Sequence, residues 1–185
     1  MGFPRPDGAP DPHLEAAMFP ITLLLIPALV AQAPVPPGPE MVEATRGVFI
    51  LKGAPTAATF ADLKPRHITQ VIDVRREGDS LPDQEVENRT LTELGVAYTR
   101  YAITRTPPAG DLDFLREILR GIPKGERILI HCTDGNRAGA ALCPWLVLDR
   151  GMKTDEALRT CRQGGMVFPE TEAAVRKYLA AHGKS

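Results

Sequence analysis

The stretch LIHCTDGNRAG, residues 129–139, joins a short apolar run to a run of helix-forming residues. Cys132 stands where the apolar run ends, and Arg137 follows five positions later. A cysteine at a strand-to-helix turn faces unpaired backbone N–H groups and the positive end of the helix dipole, and both favour the thiolate over the thiol. The guanidinium of Arg137 adds a full positive charge with the same effect. The stretch therefore predicts an anion-binding cradle built around a reactive thiol.

Such a cradle suits cysteine-dependent phosphoryl transfer. The backbone N–H groups and the guanidinium would hold phosphate oxygens while Cys132 attacks phosphorus, and water would then hydrolyse the phosphocysteine. His131 is predicted to orient the loop through hydrogen bonds rather than to carry a proton. The predicted phosphate-binding residues are Thr133, Asp134, Gly135, Asn136 and Arg137.

The loop resembles the active-site loop of the protein tyrosine and dual-specificity phosphatases, whose pattern is H-C-x-x-G-x-x-R-[ST]. His131, Cys132 and Gly135 match that pattern. Arg137 comes one residue early, and Ala138 stands where a shifted pattern would have Ser or Thr. The shorter spacing between cysteine and arginine is similar to that of the rhodanese sulfurtransferases, so the loop alone fits both families.

A narrower resemblance favours the phosphatases. A bacterial phosphatase-like branch, the beta-lactamase-hydrolase-like phosphatases, has H-C-x-x-G-N-R-x-G before an apolar helix, and this chain has HCTDGNRAGAAL. Residues 48–75 are similar to the opening of that branch, with its G-x-P-[ST] turn and V-I-D-x-R strand, and residues 94–103 to its G-[IV]-x-Y-x-x-x-x-I segment. The G-H-I-x-G-A segment that usually follows the corresponding rhodanese strand is missing from the sequence. The resemblance implies a single cysteine phosphatase-like domain that hydrolyses a phosphate monoester.

The resemblance does not supply the proton donor for the leaving oxygen. The resembling phosphatases carry this aspartate on a separate loop upstream of the cysteine, and here that region, residues 104–110, reads TRTPPAG without a carboxylate. Asp111 follows it, whereas Asp134 lies inside the cradle and is similar to the C-[ST]-D-G start of the myotubularin loop. A phosphate dianion raises the pKa of an acid beside it, so the sequence ranks Asp134 above Asp111 as the general acid.

The secondary-structure pattern predicts an α/β fold with a mainly parallel central sheet flanked by helices, because short apolar runs alternate with helical patterns. The predicted strands are 47–51, 70–73, 97–101 and 127–131. The predicted helices are 57–63, 83–94, 111–120, 137–149, 154–163 and 170–181. The helix after the loop is apolar on almost every side and is predicted to be buried. Cys143 on it and Cys161 on the next helix are predicted to approach each other, as two buried thiols or, in an oxidising compartment, as a disulfide.

The composition and charge of the chain indicate which classes of partner to expect. With 185 residues and a 43% hydrophobic content, the chain is long enough for one sizeable core. The formal net charge of −1 gives no overall field to recruit nucleic acid or a membrane surface. None of the cysteines and histidines has the close spacing of a zinc site, so neither a metal nor another cofactor is predicted. The predicted partner is a phosphorylated protein or small molecule, and the sequence leaves the oligomeric state open.

The first forty residues have a different composition. Residues 1–17 are rich in Pro, Gly and Asp and are predicted to be disordered or to precede the true start. Residues 18–33 end in A-x-A after an apolar stretch and are predicted to be a signal peptide for export to the periplasm or the outside, with a sticky apolar arm of a cytoplasmic protein as the alternative. The apolar stretch falls short of the roughly 20 residues of a membrane span, so no stable insertion is predicted. A Pro-rich linker over 34–43 and a phosphatase-like domain over 44–185 complete the expected organisation.

Two rival functions remain open at this point. A rhodanese-like sulfurtransferase would use the same thiolate to carry sulfur as a persulfide, and a loop one residue shorter, by about 3.5 Å of chain, suits a sulfur atom better than a tetrahedral phosphate. A non-enzymatic phosphate-binding module would keep the cradle and lack the acid.

Overall fold

The alternation of apolar runs and helical segments becomes a five-stranded sheet with helices on both faces in the computed structural model, which describes residues 38–79 and 84–184. These residues belong to one compact unit, Pro37–Ser185. The strands within them are β1 (Glu40–Thr45), β2 (Val48–Lys52), β3 (Gln70–Asp73), β4 (Ala97–Arg100) and β5 (Ile128–His131). The helices are α1 (Ala57–Ala61), α2 (Gln84–Leu94), α3 (Ala109–Gly121), α4 (Asn136–Leu148), α5 (Thr154–Gln163) and α6 (Pro169–Ala181). The segments predicted to be disordered and to be a signal peptide lie outside the described residues.

The sheet order is β1-β2-β5-β3-β4, which places β5 at the centre. Strands β2, β5, β3 and β4 are parallel, and only β1 runs antiparallel to its neighbour among the described strands. Asp73 at the end of β3 is paired in register with His131 at the end of β5. In open α/β sheets, ligands bind at the carboxyl ends of the strands, so the loop after β5 lies at the edge where a site is expected. The predicted mainly parallel α/β fold is confirmed.

The first strand was not predicted. It begins at Glu40, inside the segment 34–43 that the sequence predicts to be a Pro-rich linker, so the folded part starts before residue 44. Met41 and Val42 are half-buried, and the strand is held by antiparallel pairing with β2. An edge strand that is polar on one side gives only a weak apolar signal in the sequence.

Successive residues of the central strand face opposite sides of the sheet. Ile128 and Ile130 join the apolar cluster that includes α3, α4, α5 and α6, whereas Leu129 joins the cluster under α1 and α2. Helix α4 contacts α3, α5, α6, β2 and β5, and every residue from Asn136 to Val147 is buried. The helix continues through Pro144. This burial fixes the position of the helix that begins directly after the loop.

Two further expectations concern helices. Cys143 on α4 and Cys161 on α5 are fully buried free thiols. They approach each other as predicted: burial and a hydrogen bond with Cys143 raise the pKa of Cys161 well above its ordinary value. No helix in the described ranges combines the length and apolarity needed to cross a bilayer.

Candidate active site

The loop between β5 and α4 turns sharply at Gly135. This glycine has φ 89°, in the left-handed region, and a Cβ placed there would lie 2.1 Å from the carbonyl oxygen of Gly164. Gly164 belongs to the turn between α5 and α6, so the loop rests directly on the backbone of that turn. Only glycine satisfies both the backbone angle and the close approach. The loop shape is therefore set by backbone packing as well as by its own sequence.

Cys132 lies at the bottom of this loop with no exposed surface. The N–H of Gly135 donates to its Sγ at 3.2 Å, and the thiol donates to Asp134 Oδ1 at 3.3 Å. Burial raises the pKa of Cys132, and the Asp134 charge acts in the same direction. Backbone N–H groups of the loop and the charge of Arg137 lower it, but by less. The prediction that the surroundings favour the thiolate is wrong for this conformation, because desolvation outweighs the N–H groups and the guanidinium.

Arg137 follows in the first turn of α4 and is also buried. Its Nη2 donates to Thr133 Oγ1 at 3.1 Å, so the guanidinium lies against the loop. Its Nη1 forms an ion pair with the carboxylate of Asp79. The structure thus brings the predicted Thr133 and Arg137 together and adds an acid that the sequence analysis did not name.

Asp79 lies on the segment after β3, at the same sheet edge as the loop after β5. Its Oδ2 also accepts the backbone N–H of Arg76 at 2.7 Å. Burial raises the pKa of Asp79. The hydrogen bonds from Arg137 and from the Arg76 backbone lower it by more, so the pKa of Asp79 is below its usual value. The sequence signal that would have found it is topological, because β3 and β5 are neighbours and their carboxyl ends meet.

The side chain of Asn136 is engaged within the fold. It is fully buried, its Nδ2 donates to Thr171 Oγ1 at 2.7 Å, and its Oδ1 accepts the N–H of Phe168 at 3.2 Å. Its backbone N–H donates to Asp134 Oδ1 at 2.9 Å. Its side chain therefore anchors the start of α4 to the start of α6, and the predicted phosphate-binding role of Asn136 would rest on its backbone N–H alone.

The two acids proposed from the sequence have different surroundings. Asp134 Oδ1 accepts from both Cys132 and the backbone of Asn136, so this carboxylate is held beside the Cys132 sulfur. Asp111 lies in the first turn of α3, where it accepts the hydroxyl of Tyr101 at 3.0 Å. In the upstream loop that lacks a carboxylate, the Arg105 guanidinium stacks over the ring of Phe168, 4.4 Å from its centroid.

His131 is part of a buried network of charged side chains. Its Nε2 lies 2.7 Å from Glu87 on α2, and Arg75 forms ion pairs with both Glu87 and Asp73. The hydroxyl of Tyr98 donates to Asp73 at 2.7 Å. This network connects β3, β4, β5 and α2 directly beneath the loop, which agrees with an orienting role for His131.

The same network contains three side chains of the kinds that bind metals. Ligand atoms of Asp73, Glu87 and His131 lie within 4.8 Å of one another. However, the fully buried Arg75 guanidinium already forms ion pairs with both carboxylates. A cation among these ligand atoms would lie beside that fixed positive charge and compete with it for the same carboxylates, so the residues present are arranged as an ion-pair network rather than as a metal site.

No protein-family model and no curated protein sequence matches the chain, so the comparison rests on solved structures. A candidate phosphatase (DUF442) from Shewanella putrefaciens CN-32 is similar with a TM-score of 0.63 and 17% identity, over 76% of this chain and 89% of that one. PTPMT1 in complex with PI(5)P has a TM-score of 0.58 and 14% identity, over 76% and 96%. The human tyrosine phosphatase-like serine/threonine/tyrosine-interacting protein has a TM-score of 0.60 and 18% identity, over 77% and 97%. The predicted resemblance is confirmed at the level of the fold, and the chain has the fold of the tyrosine and dual-specificity phosphatase-like superfamily.

Proposed function

We propose that this protein is a cysteine-dependent phosphatase that hydrolyses a phosphate monoester through a phosphocysteine intermediate. The observation that carries the proposal is the position of Cys132 at the carboxyl end of the central strand, with the Gly135 N–H on its sulfur and the buried Arg137 guanidinium over the same loop. Phosphatase-type structural neighbours support the general class.

The reaction would proceed in two displacements. The Cys132 thiolate attacks phosphorus, and the bond from phosphorus to the leaving oxygen breaks as that oxygen takes a proton. Arg137 and the loop N–H groups hold the equatorial oxygens, where charge is spread in the transition state. Water then attacks phosphorus, the P–S bond breaks, and the thiolate returns. The thiol proton must leave first, and Asp134 Oδ1, which accepts from Sγ at 3.3 Å, is the carboxylate placed to take it.

A phosphate-binding module remains the second candidate, because burial keeps the pKa of Cys132 above its ordinary value and the loop over 104–110 lacks a carboxylate. Such a protein would bind phosphate at the same cradle without turning a substrate over. A phosphorylated protein or small molecule fits both candidates as the partner. PTPMT1 was solved with PI(5)P, so a phosphoinositide is a useful additional probe for this chain.

The test is a side-by-side assay of the full chain with p-nitrophenyl phosphate and with thiosulfate plus cyanide. Hydrolysis of the aryl phosphate that is lost in Cys132→Ser supports the phosphatase, whereas thiocyanate production that depends on Cys132 would establish the sulfurtransferase instead. Cys132→Ser is expected to keep oxyanion binding, because the loop amides and Arg137 remain. Binding of phosphate by the wild-type protein without turnover of either substrate would leave the binding module as the function.

We also propose that residues 18–33 direct export to the periplasm or the outside, because an apolar stretch is followed by an A-x-A pattern. Intact-mass measurement of the protein recovered from the exported fraction is the test. A mature start at Pro34 supports the proposal, and the full-length mass in the cytoplasmic fraction alone contradicts it.

A further inference from the structure

The leaving oxygen of a phosphate monoester needs a proton, and the described part of the chain offers few carboxylates to give it. Residues 104–110 contain none. Asp111 accepts a hydrogen bond from the Tyr101 hydroxyl, and no ion pair or hydrogen bond in the described residues joins it to the loop after β5. Among the residues that the structure describes, Asp134 and Asp79 are the acids that contact Cys132 or Arg137.

Asp134 lies beside the attacking sulfur, on the side of the bound phosphate opposite the leaving oxygen. In an in-line displacement the attacking and leaving atoms lie on opposite sides of phosphorus. Asp134 Oδ1 is 3.3 Å from the attacking sulfur and is also held by the backbone N–H of Asn136. A carboxylate fixed at the nucleophile is suited to accept the thiol proton, and it does not reach the leaving oxygen across the bound phosphate.

Asp79 contacts the group that would hold the equatorial phosphate oxygens. Its carboxylate forms an ion pair with Arg137 Nη1, while Nη2 of the same guanidinium reaches back to Thr133 in the loop. The Asp79 side chain is 17% exposed, so it is at the border between the cradle and solvent. Asp79 Oδ2 also accepts a hydrogen bond from the backbone N–H of Arg76. Asp79 therefore lies beside the guanidinium and is partly open to solvent, so a leaving group that reaches the cradle from solvent can contact it.

We propose that Asp79 is the general acid of this site, on the assumption that the proposed phosphatase function is correct. In the first step the Asp79 carboxylic acid gives its proton to the leaving oxygen as the P–O bond breaks and the P–S bond forms, so the alcohol leaves neutral. In the second step the Asp79 carboxylate takes a proton from water as that water attacks phosphorus and the P–S bond breaks. One water is consumed, and phosphate, the alcohol, the thiolate and the acid are the products.

The ion pair with Arg137 explains how the proton would arrive. Without phosphate, the guanidinium stabilises the Asp79 carboxylate, and the pKa of Asp79 is below its usual value. A phosphate dianion would engage the guanidinium and bring negative charge next to Asp79, and both effects raise the pKa of a carboxyl group. Substrate binding would therefore convert Asp79 from an ion-pair partner into a proton donor.

The experiment compares Asp79→Asn with the wild-type full chain on p-nitrophenyl phosphate and on an alkyl phosphate. An aryl leaving group of low pKa needs little protonation, whereas an alkyl group needs a great deal. We expect kcat to fall by about 10²–10⁴-fold on the alkyl substrate and by far less on the aryl one. Asp79→Glu is expected to recover part of the alkyl activity. Asp111→Asn is the matched control and should leave the ratio of the two activities unchanged. Asp134→Asn removes the proposed acceptor of the thiol proton, so it should lower both activities to a similar extent and show no selective loss.

Several outcomes would overturn the assignment. Equal losses on both substrates would make Asp79 a positioning residue for Arg137, and a selective loss in Asp134→Asn or Asp111→Asn would move the acid to that residue. A series of substrates gives a second measurement that needs no variant: a steep dependence of the wild-type rate on leaving-group pKa would exclude any proton donor. If the wild-type protein hydrolyses neither substrate, the proposed phosphatase function is refuted instead, because the assignment of the acid presupposes aryl phosphate hydrolysis by Cys132.

Discussion

Asn136→Ala is expected to destabilise the protein without removing a phosphate ligand. The substitution deletes two hydrogen bonds, one to Thr171 Oγ1 and one from the Phe168 N–H. Thr171 is fully buried, so its hydroxyl would lose a partner where water does not reach, whereas Phe168 is half-buried and water can replace part of the loss. An unsatisfied buried polar group costs about 1–3 kcal/mol, so the free energy of unfolding should fall by about 2–4 kcal/mol in total.

Urea denaturation followed by circular dichroism measures this change. With a slope of about 2 kcal/mol/M for a domain of this size, the midpoint should fall by about 1–2 M at an unchanged slope. Asn88→Ala is the matched control, because Asn88 is exposed on α2 and should shift the midpoint very little. An unchanged midpoint in Asn136→Ala together with a tenfold loss of inorganic phosphate affinity would refute the structural role and restore Asn136 as an anion ligand.

Three further outcomes are expected. Arg137→Lys should lower kcat/KM on an aryl phosphate by about 10²–10³-fold, because a point charge does not reproduce the bidentate fork; steady-state kinetics showing wild-type values would count against the cradle. Gly135→Ala should lower the urea midpoint of unfolding more than Gly95→Ala. Both glycines have positive φ, but a Cβ at Gly135 would meet a backbone oxygen whereas a Cβ at Gly95 would have open space; equal shifts would show that the loop can move to accept the Cβ. Burial raises the pKa of Cys132, so its alkylation by iodoacetamide should be slow at neutral pH and increase as the pH rises past the ordinary thiol range, because only the thiolate reacts; peptide mass spectrometry showing a plateau below neutral pH would contradict this.

The sheet was accessible from sequence because its central strands are short apolar runs. The prediction for β3 matches its bounds, those for β4 and β5 differ by one residue at one end, and that for β2 is shifted by one residue at both ends. The edge strand β1 was missed, because its half-exposed residues are held by pairing with β2 rather than by an apolar pattern of their own. Local patterns report burial on both faces well and edge pairing poorly.

The same distinction applies to the site. Cys132, Thr133 and Arg137 are close in sequence, so their spacing alone predicted that they would meet. Asp79 reaches Arg137 only because β3 and β5 are adjacent in the sheet, and spacing along the chain carries no sign of that contact. Asn136 matched a family motif, yet its partners are on the turn before α6 and the start of that helix, which the motif does not include. The motif therefore did not indicate the packing role of the Asn136 side chain.

The contact between Gly135 and Gly164 restricts how this protein can diversify. Because the two backbones touch, and because the helix that follows the loop is buried along its length, Cys132, Gly135 and Arg137 have no freedom to vary without repacking the interior. Thr133 and Asp134 are the half-buried residues of the loop. A change of ligand specificity, by evolution or by design, would therefore require substitutions at these two positions and in the surrounding surface segments. The rest of the loop would stay unchanged.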